Sequence, residues 1–189
     1  IVALSALENK IVSPNFKVKC TGKMELFGQT FHCWKEKGHG YMSLKNAMKQ
    51  SCDTYFYEVA RLLGVDRLKV TAEKFGLGKK VLGDYFDYEK SGLFPNTKWK
   101  KNNLGKGWVL GETLITGIGQ GYTQTTPLQL CLMTAQIANG GYSIKPRIVV
   151  NNNPMSLEEA KNKLQDETLH GQEKKLFKDH KNIKIIQEA

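Results

Sequence analysis

Two groups of side chains could do chemistry. The triplet Ser51-Cys52-Asp53 sets a hydroxyl, a thiol and a carboxylate side by side ahead of the run TYFYEVARLL. A hydroxyl beside an acid can pass a proton or orient a polar substrate, although serine and aspartate ahead of a helix are first of all capping residues. The second group is a set of thiols and an imidazole. Cys20, Cys33, His39 and Cys52 fall inside 33 residues with the spacing C-x12-C-x5-H-x12-C. Three thiolates and one imidazole suit tetrahedral zinc. His32 competes for the imidazole place, and a Cys20–Cys33 disulfide competes for the thiols. Cys131 stands apart in an apolar run and reads as a small buried hydrophobe.

The elements that must position these groups follow from period and punctuation. Ser43 is a candidate N-cap for a helix toward Gln50, with Leu44, Ala47 and Met48 on one face. Tyr55, Phe56, Val59, Leu62 and Leu63 form a second helical stripe that stops at Gly64. Asp66 can cap a third helix, carrying Leu68, Val70, Ala72 and Phe75. Residues 16–40, rich in Gly, Lys, Cys and aromatics without a sustained period, suggest a loop or short hairpin that needs a staple. Residues 76–121 read as a long irregular excursion. Thr126, Pro127 and Gln129 give a capping box with proline at the first helical position, predicting a helix from Pro127 to Asn139. Tyr142 to Val150 reads as a strand with Pro146 at an edge, and SLEEAKNKLQ and KNIKIIQEA as short charged helices.

Composition narrows the class. With 189 residues, 40% apolar, the chain suits one ordinary domain with its own core. No apolar stretch approaches the ~18 residues of a membrane-crossing helix. The formal charge is +10, but residues 158–189 hold seven basic and seven acidic groups, so the excess lies ahead of them, as in Lys98, Lys100, Lys101 and Lys106. Without arginine-rich or aromatic-interleaved patterning, these read as solvated lysine faces, and no nucleic-acid partner is expected.

The segments GHGYMSLKNAMKQSCDTYFYEVARLLGVDRL, EKSGLFPNTKWK, LITGIGQGYTQTTPLQL and IANGGYSIKPRIV stand in consistent order over about residues 1–150. They closely resemble the transpeptidase domain of class B penicillin-binding proteins, particularly the elongation-specific penicillin-binding protein 2 group. The resemblance implies a mixed α/β fold, that of the penicillin-recognising serine transpeptidases. These residues would be largely its helical part, with most of the antiparallel sheet missing. Residues 1–150 would be part of the transpeptidase domain, with 16–52 a zinc-stapled loop, and 151–189 a linker and the start of a further helix. Ser51 would be the proton relay of the second active-site element, S-x-N in the family and S-x-D here. Asp53 would bond the substrate peptide or a lysine ammonium. The resemblance also implies zinc on Cys20, Cys33, His39 and Cys52, preferring His39 to His32, with no cofactor for catalysis.

It further implies serine acyl-enzyme chemistry on peptidoglycan stem peptides, β-lactams as inhibitors, and membrane proteins of the elongation machinery as partners. The setting would be the periplasmic part of a protein anchored in the inner membrane. Yet no S-x-x-K occurs in the chain, and Thr71 and Thr97 head only T-x-x-K look-alikes. Lys90-Ser91-Gly92 matches K-[ST]-G in letters but leads into LFP, so it reads as a chance match. The opening IVALSALENK reads as helix already under way. The nucleophilic serine and its lysine are therefore expected upstream of Ile1, and the true K-[ST]-G beyond Ala189. These residues alone are expected not to be acylated by a penicillin. GIGQGY (117–122) reads as a tight bend rather than a nucleotide loop. The alternative function is a zinc-stapled basic module for an anionic polymer, which would bind nucleic acid with steep salt dependence.

Overall fold

A computed structural model describes residues 1–83, 86–146 and 174–189. Helix α3 (Asp53–Leu63) is its hub. Tyr55, Val59 and Leu63 of the predicted stripe are fully buried, joined by Ala60, whereas Leu62, expected on the same stripe, is exposed. Against it lie α1 (Val2–Glu8), which buries Ala3, Leu4, Ala6 and Leu7, and α2 (Leu44–Lys49), which buries Leu44 and Ala47. Gly64, at φ 81, lets the chain leave α3 and enter α4 (Val65–Lys74) within one residue. Helix α4 turns Leu68 and Ala72 inward, with Phe75 buried just after it, but Val70, expected with them, faces solvent.

Two helices stand inside the stretch expected to be irregular: α5 (Thr97–Leu104) and α6 (Leu110–Gly117). Helix α5 is capped by the Asn96 side chain, which accepts from the Trp99 N–H at 2.9 Å. Helix α6 packs along α3, with Gly117 against Ala60. Helix α7 (Pro127–Ala138) has the predicted capping box, Thr126 N–H to Gln129 Oε1 at 2.9 Å and Gln129 N–H to Thr126 Oγ1 at 3.2 Å. Helix α8 (His180–Gln187) closes the described chain, its Ile183 clustering with Phe177, Phe75 and Leu4. Among the described residues, no helix is long and apolar enough to cross a membrane.

Residues 17–43 form two antiparallel ribbons. Strands β1 (Lys17–Cys20) and β4 (Gly40–Ser43) pair in the register Lys17↔Ser43 to Cys20↔Gly40. Between them, β2 (Lys23–Leu26) and β3 (Gln29–His32) pair from Lys23↔His32 to Leu26↔Gln29. Their turn, Phe27-Gly28, has positive φ at both residues, the geometry of a two-residue hairpin. The result is a mixed α/β architecture, helix-rich with short antiparallel strands, as expected.

Several local expectations are corrected. Asp66 does not cap α4; its carboxylate accepts from Thr97 N–H at 3.2 Å and Thr97 Oγ1 at 2.9 Å, joining the starts of α4 and α5. Cys131 is exposed rather than buried. Tyr142 makes only an isolated bridge to Lys175, and residues 143–146 are not a strand. The rest of that predicted strand, 147–150, and the predicted helix SLEEAKNKLQ lie outside the described residues.

Candidate functional site

The four zinc candidates come from three different places in the loop and one in the core. Cys20 closes β1, Cys33 follows β3, His39 precedes β4, and Cys52 is the N-cap residue of α3. Their ligating atoms lie within 4.8 Å of one another, and the three cysteines are buried free thiols. His39 Nδ1 stands 3.5 Å from Cys20 Sγ and 3.6 Å from Cys33 Sγ. Zinc bonded tetrahedrally to sulfur at ~2.3 Å and nitrogen at ~2.0–2.1 Å holds those two atoms about 3.5 Å apart. The donor set therefore fits a tetrahedral ion through Nδ1. The other imidazole nitrogen, His39 Nε2, is buried without a hydrogen-bond partner among the described residues. His32 lies outside the cluster, exposed on β3.

Local chemistry explains how a loop with few apolar residues closes this tightly. Gly22 (φ 95) and Gly38 (φ 76) let the segments after Cys20 and before His39 press together. A Cβ on Gly22 would collide with the Glu36 carbonyl, and one on Gly38 with the Cys20 carbonyl. Cys33 N–H donates to Gly22 O at 2.8 Å, tying two ligand-bearing segments together.

Electrostatics distinguishes the thiols. Burial opposes ionisation of Cys20, but hydrogen bonds from the Thr54 hydroxyl, the His39 side chain, and the His39 and Gly22 backbone outweigh it, lowering the thiol from 9.0 to about 6. Burial raises Cys52 to about 12, and the nearby Cys20 and Cys33 thiols push the same way. A second and third thiolate in this space need a cation to offset their repulsion.

Ser51 sits at the junction of α2 and α3, in the left-handed region at φ 49. That conformation is costly for a residue with a Cβ and marks a position the surroundings enforce. Its effect is to place neighbours on opposite sides. Cys52 is fully buried in the cluster, whereas Ser51 is exposed. Asp53 turns toward the loop, its Oδ2 accepting from Trp34 N–H at 3.0 Å. Trp34 Nε1–H in turn donates to Gln50 O at 3.0 Å and Ser51 O at 2.9 Å. The structure thus joins Ser51, Asp53 and the Cys₃His set into one neighbourhood. Thr54, Trp34, Gly22 and Gly38 complete it; the two glycines, in CTG and KGHG, carry a turn signal in the sequence.

Lys90-Ser91-Gly92 is used structurally. Ser91 O accepts from Gln129 Nε2 at 2.8 Å, and the chain continues into an isolated bridge, Leu93↔Gln124, rather than a strand. Gly92, at φ 62, fits where a Cβ would collide with Gln124 O. Gly119 and Gly121 in GIGQGY both have positive φ and bend the chain between α6 and α7.

Comparison with known proteins sets this geometry in context. Residues 1–182 match the family model described as the penicillin binding protein transpeptidase domain. Peptidoglycan D,D-transpeptidase MrdA of Acinetobacter baumannii is 37% identical over 149 residues, covering 78% of this chain and 22% of that protein. MrdA of Escherichia coli K12 is 34% identical over 152 residues, covering 79% of this chain and 24% of that protein. The chain thus spans less than a quarter of the length of these relatives. Among solved structures, Pseudomonas aeruginosa PBP2 in complex with WCK 5153 superimposes with a TM-score of 0.79 at 36% identity, over 98% of this chain and 40% of that one. Helicobacter pylori PBP2 in complex with MreC gives 0.74 at 34% identity, over 87% and 31%.

Proposed function

Since this chain belongs to the penicillin-binding protein transpeptidase domain family, we propose that it is part of an elongation-type peptidoglycan D,D-transpeptidase in which Ser51 relays a proton. Acyl transfer from a stem peptide, or opening of a β-lactam, needs four things. These are a serine nucleophile, a base, an oxyanion hole and a donor to the departing nitrogen. The nucleophile and its lysine would come from outside these 189 residues. The proton leaving that serine would pass by way of the lysine ammonium and the Ser51 hydroxyl to the leaving amine. The observation that carries this reading is Ser51, an exposed residue held in a left-handed turn at the mouth of α3.

Cys20, Cys33 and Cys52 as thiolates, and His39 through Nδ1, would hold zinc, which when bound offsets their charge and cross-links the hairpins to α3. Stem peptides and β-lactams are the proposed ligands of the longer protein, anchored in the inner membrane with this domain in the periplasm. Membrane proteins of the elongation machinery are its proposed partners; the H. pylori relative solved with MreC supports this.

The test is covalent labelling. The full-length protein should be acylated by a fluorescent penicillin, and Ser51→Ala should slow acylation by roughly 10²- to 10⁴-fold. The 189 residues alone should carry no serine adduct. Wild-type acylation in Ser51→Ala removes the relay role, and a stoichiometric adduct on the isolated chain removes the assignment of the nucleophile.

A further inference from the structure

We propose that Trp34 is a positioning residue that, together with the main-chain cap at the end of α2, holds the conformation of Ser51, so that the cysteine-histidine loop serves the transpeptidation site as well as its own stability. This rests on the relay role of Ser51 proposed above.

The geometry turns on two carbonyls. The φ and ψ of Ser51 relate the peptide plane before it, which ends in Gln50 O, to the plane after it, which carries Ser51 O. A single donor, Trp34 Nε1–H, meets both, at 3.0 and 2.9 Å. Two acceptors converging on one hydrogen leave the planes little freedom to rotate about Ser51, and their relative orientation is the left-handed one, φ 49. The main-chain bonds of the turn hold the same conformation from inside, Cys52 N–H donating to Ala47 O at 2.9 Å across the left-handed residue. Ser51 N–H reaches Met48 O at 3.3 Å, the looser of the two, and the indole adds a hold on both flanking carbonyls from outside. Extended or right-handed backbone at Ser51 would swing its hydroxyl away from where it now stands, and the indole opposes that relaxation.

Trp34 is itself held from three sides, all belonging to the cluster or the S-x-D element. Its backbone follows Cys33 directly. Its N–H is bound by Asp53 Oδ2 at 3.0 Å. Its ring stands edge-on to the His39 ring, with centroids 5.2 Å apart at 72°. Although 64% exposed, it is therefore placed by a ligand before it, a ligand beside it and the first residue of α3. An amide oxygen at position 53 would accept the same bond, so this task makes no distinction between aspartate and asparagine. Cys52 anchors the C-terminal side of Ser51 in the core, and the indole grips both flanking carbonyls from outside.

Acylation of the full-length protein by a fluorescent penicillin reads this out in a double-mutant cycle. Trp34→Phe keeps a ring beside His39 and deletes the donor. It should slow acylation about ten- to a hundredfold, the scale of a misplaced catalytic group, while cooperative unfolding is retained. If Trp34 acts only through the Ser51 hydroxyl, Trp34→Phe/Ser51→Ala should be acylated at the rate of Ser51→Ala alone. A merely structural role would instead multiply the two losses. Wild-type acylation in Trp34→Phe, or losses that multiply, overturns the clamp while leaving the relay role standing. Wild-type acylation in Ser51→Ala overturns the relay role, and the clamp's function with it. Should Trp34→Phe fail to fold, benzothienylalanine at position 34, which keeps the bicyclic shape without the N–H, is judged by the same criteria.

Discussion

Gly117→Ala tests whether α3 and α6 are in the close register that brings the Ser51 junction and the GIGQGY bend onto one frame. A Cβ on Gly117 would overlap the Ala60 Cβ and lie 3.3 Å from Phe56 O. Carbon atoms rest at about 3.5–4.0 Å, so the helices would have to part by more than about 1 Å. Overpacking costs about 1–3 kcal/mol. The upper half applies here, because Ala60 is fixed on the central helix and has no flexible end to move aside. For a domain of this size each 1 kcal/mol lowers Tm by about 2–4 °C, giving a fall of roughly 4–12 °C. Ala60→Gly removes the obstructing methyl at a helix-propensity cost of about 1 kcal/mol. The double variant should therefore recover to within about 1 kcal/mol of wild type, with a favourable coupling of about 2 kcal/mol. Thermal and urea unfolding of the four proteins gives the cycle. A coupling below about 0.5 kcal/mol would mean that the two positions do not touch and that the α3–α6 register is wrong.

Two further outcomes are expected. Thr54→Val removes the hydroxyl 3.4 Å from Cys20 Sγ and should weaken zinc binding about 10- to 100-fold in chelator competition, with Thr54→Ser restoring most of it; unchanged affinity in the valine variant would exclude that bond from ligand tuning. Burial pushes the Tyr55 phenol up from 10.0 to about 12, so the folded state keeps a proton that the unfolded chain loses first. Its contribution is fully present below pH 10 and is lost as pH rises from 10 toward 12. The loss is on the order of 2 kcal/mol. Tyr55→Phe should flatten this decline in denaturant titrations above that pH, and equal slopes in the two proteins would contradict it.

What the sequence made legible follows from local rules. The Thr126 capping box and the Tyr55–Val59–Leu63 stripe are short-range patterns, and both appear as expected. The Cys₃His spacing also brings its members together, because thiols and imidazole are rare enough to notice even when the loop joining them has no period. Helices α5 and α6 were illegible for opposite reasons. TKWKKNNL buries only Lys100, which pairs with Glu112, so it shows no apolar stripe. LGETLITG carries two glycines that disfavour helix in isolation, and its packing on α3 overrides that propensity. Cys131 misled because the inner face of α7 is lined partly by amides. Gln129 and Gln136 are buried and donate to Lys79 O, Ser91 O and Phe75 O, which leaves the apolar Leu130 and Cys131 outside. The hold of Trp34 on Ser51 has no sequence signature at all, since a side chain bonding carbonyls 16 and 17 residues away leaves no local pattern.

The most direct test follows penicillin acylation of the full-length protein as its metal is removed and restored. The protein should purify with one zinc, lose acylation at least about tenfold when a strong chelator strips it, and regain the rate when zinc is added back. Full-rate acylation in verified metal-free protein would show that the cysteine-histidine cluster does not hold Ser51 in its working position.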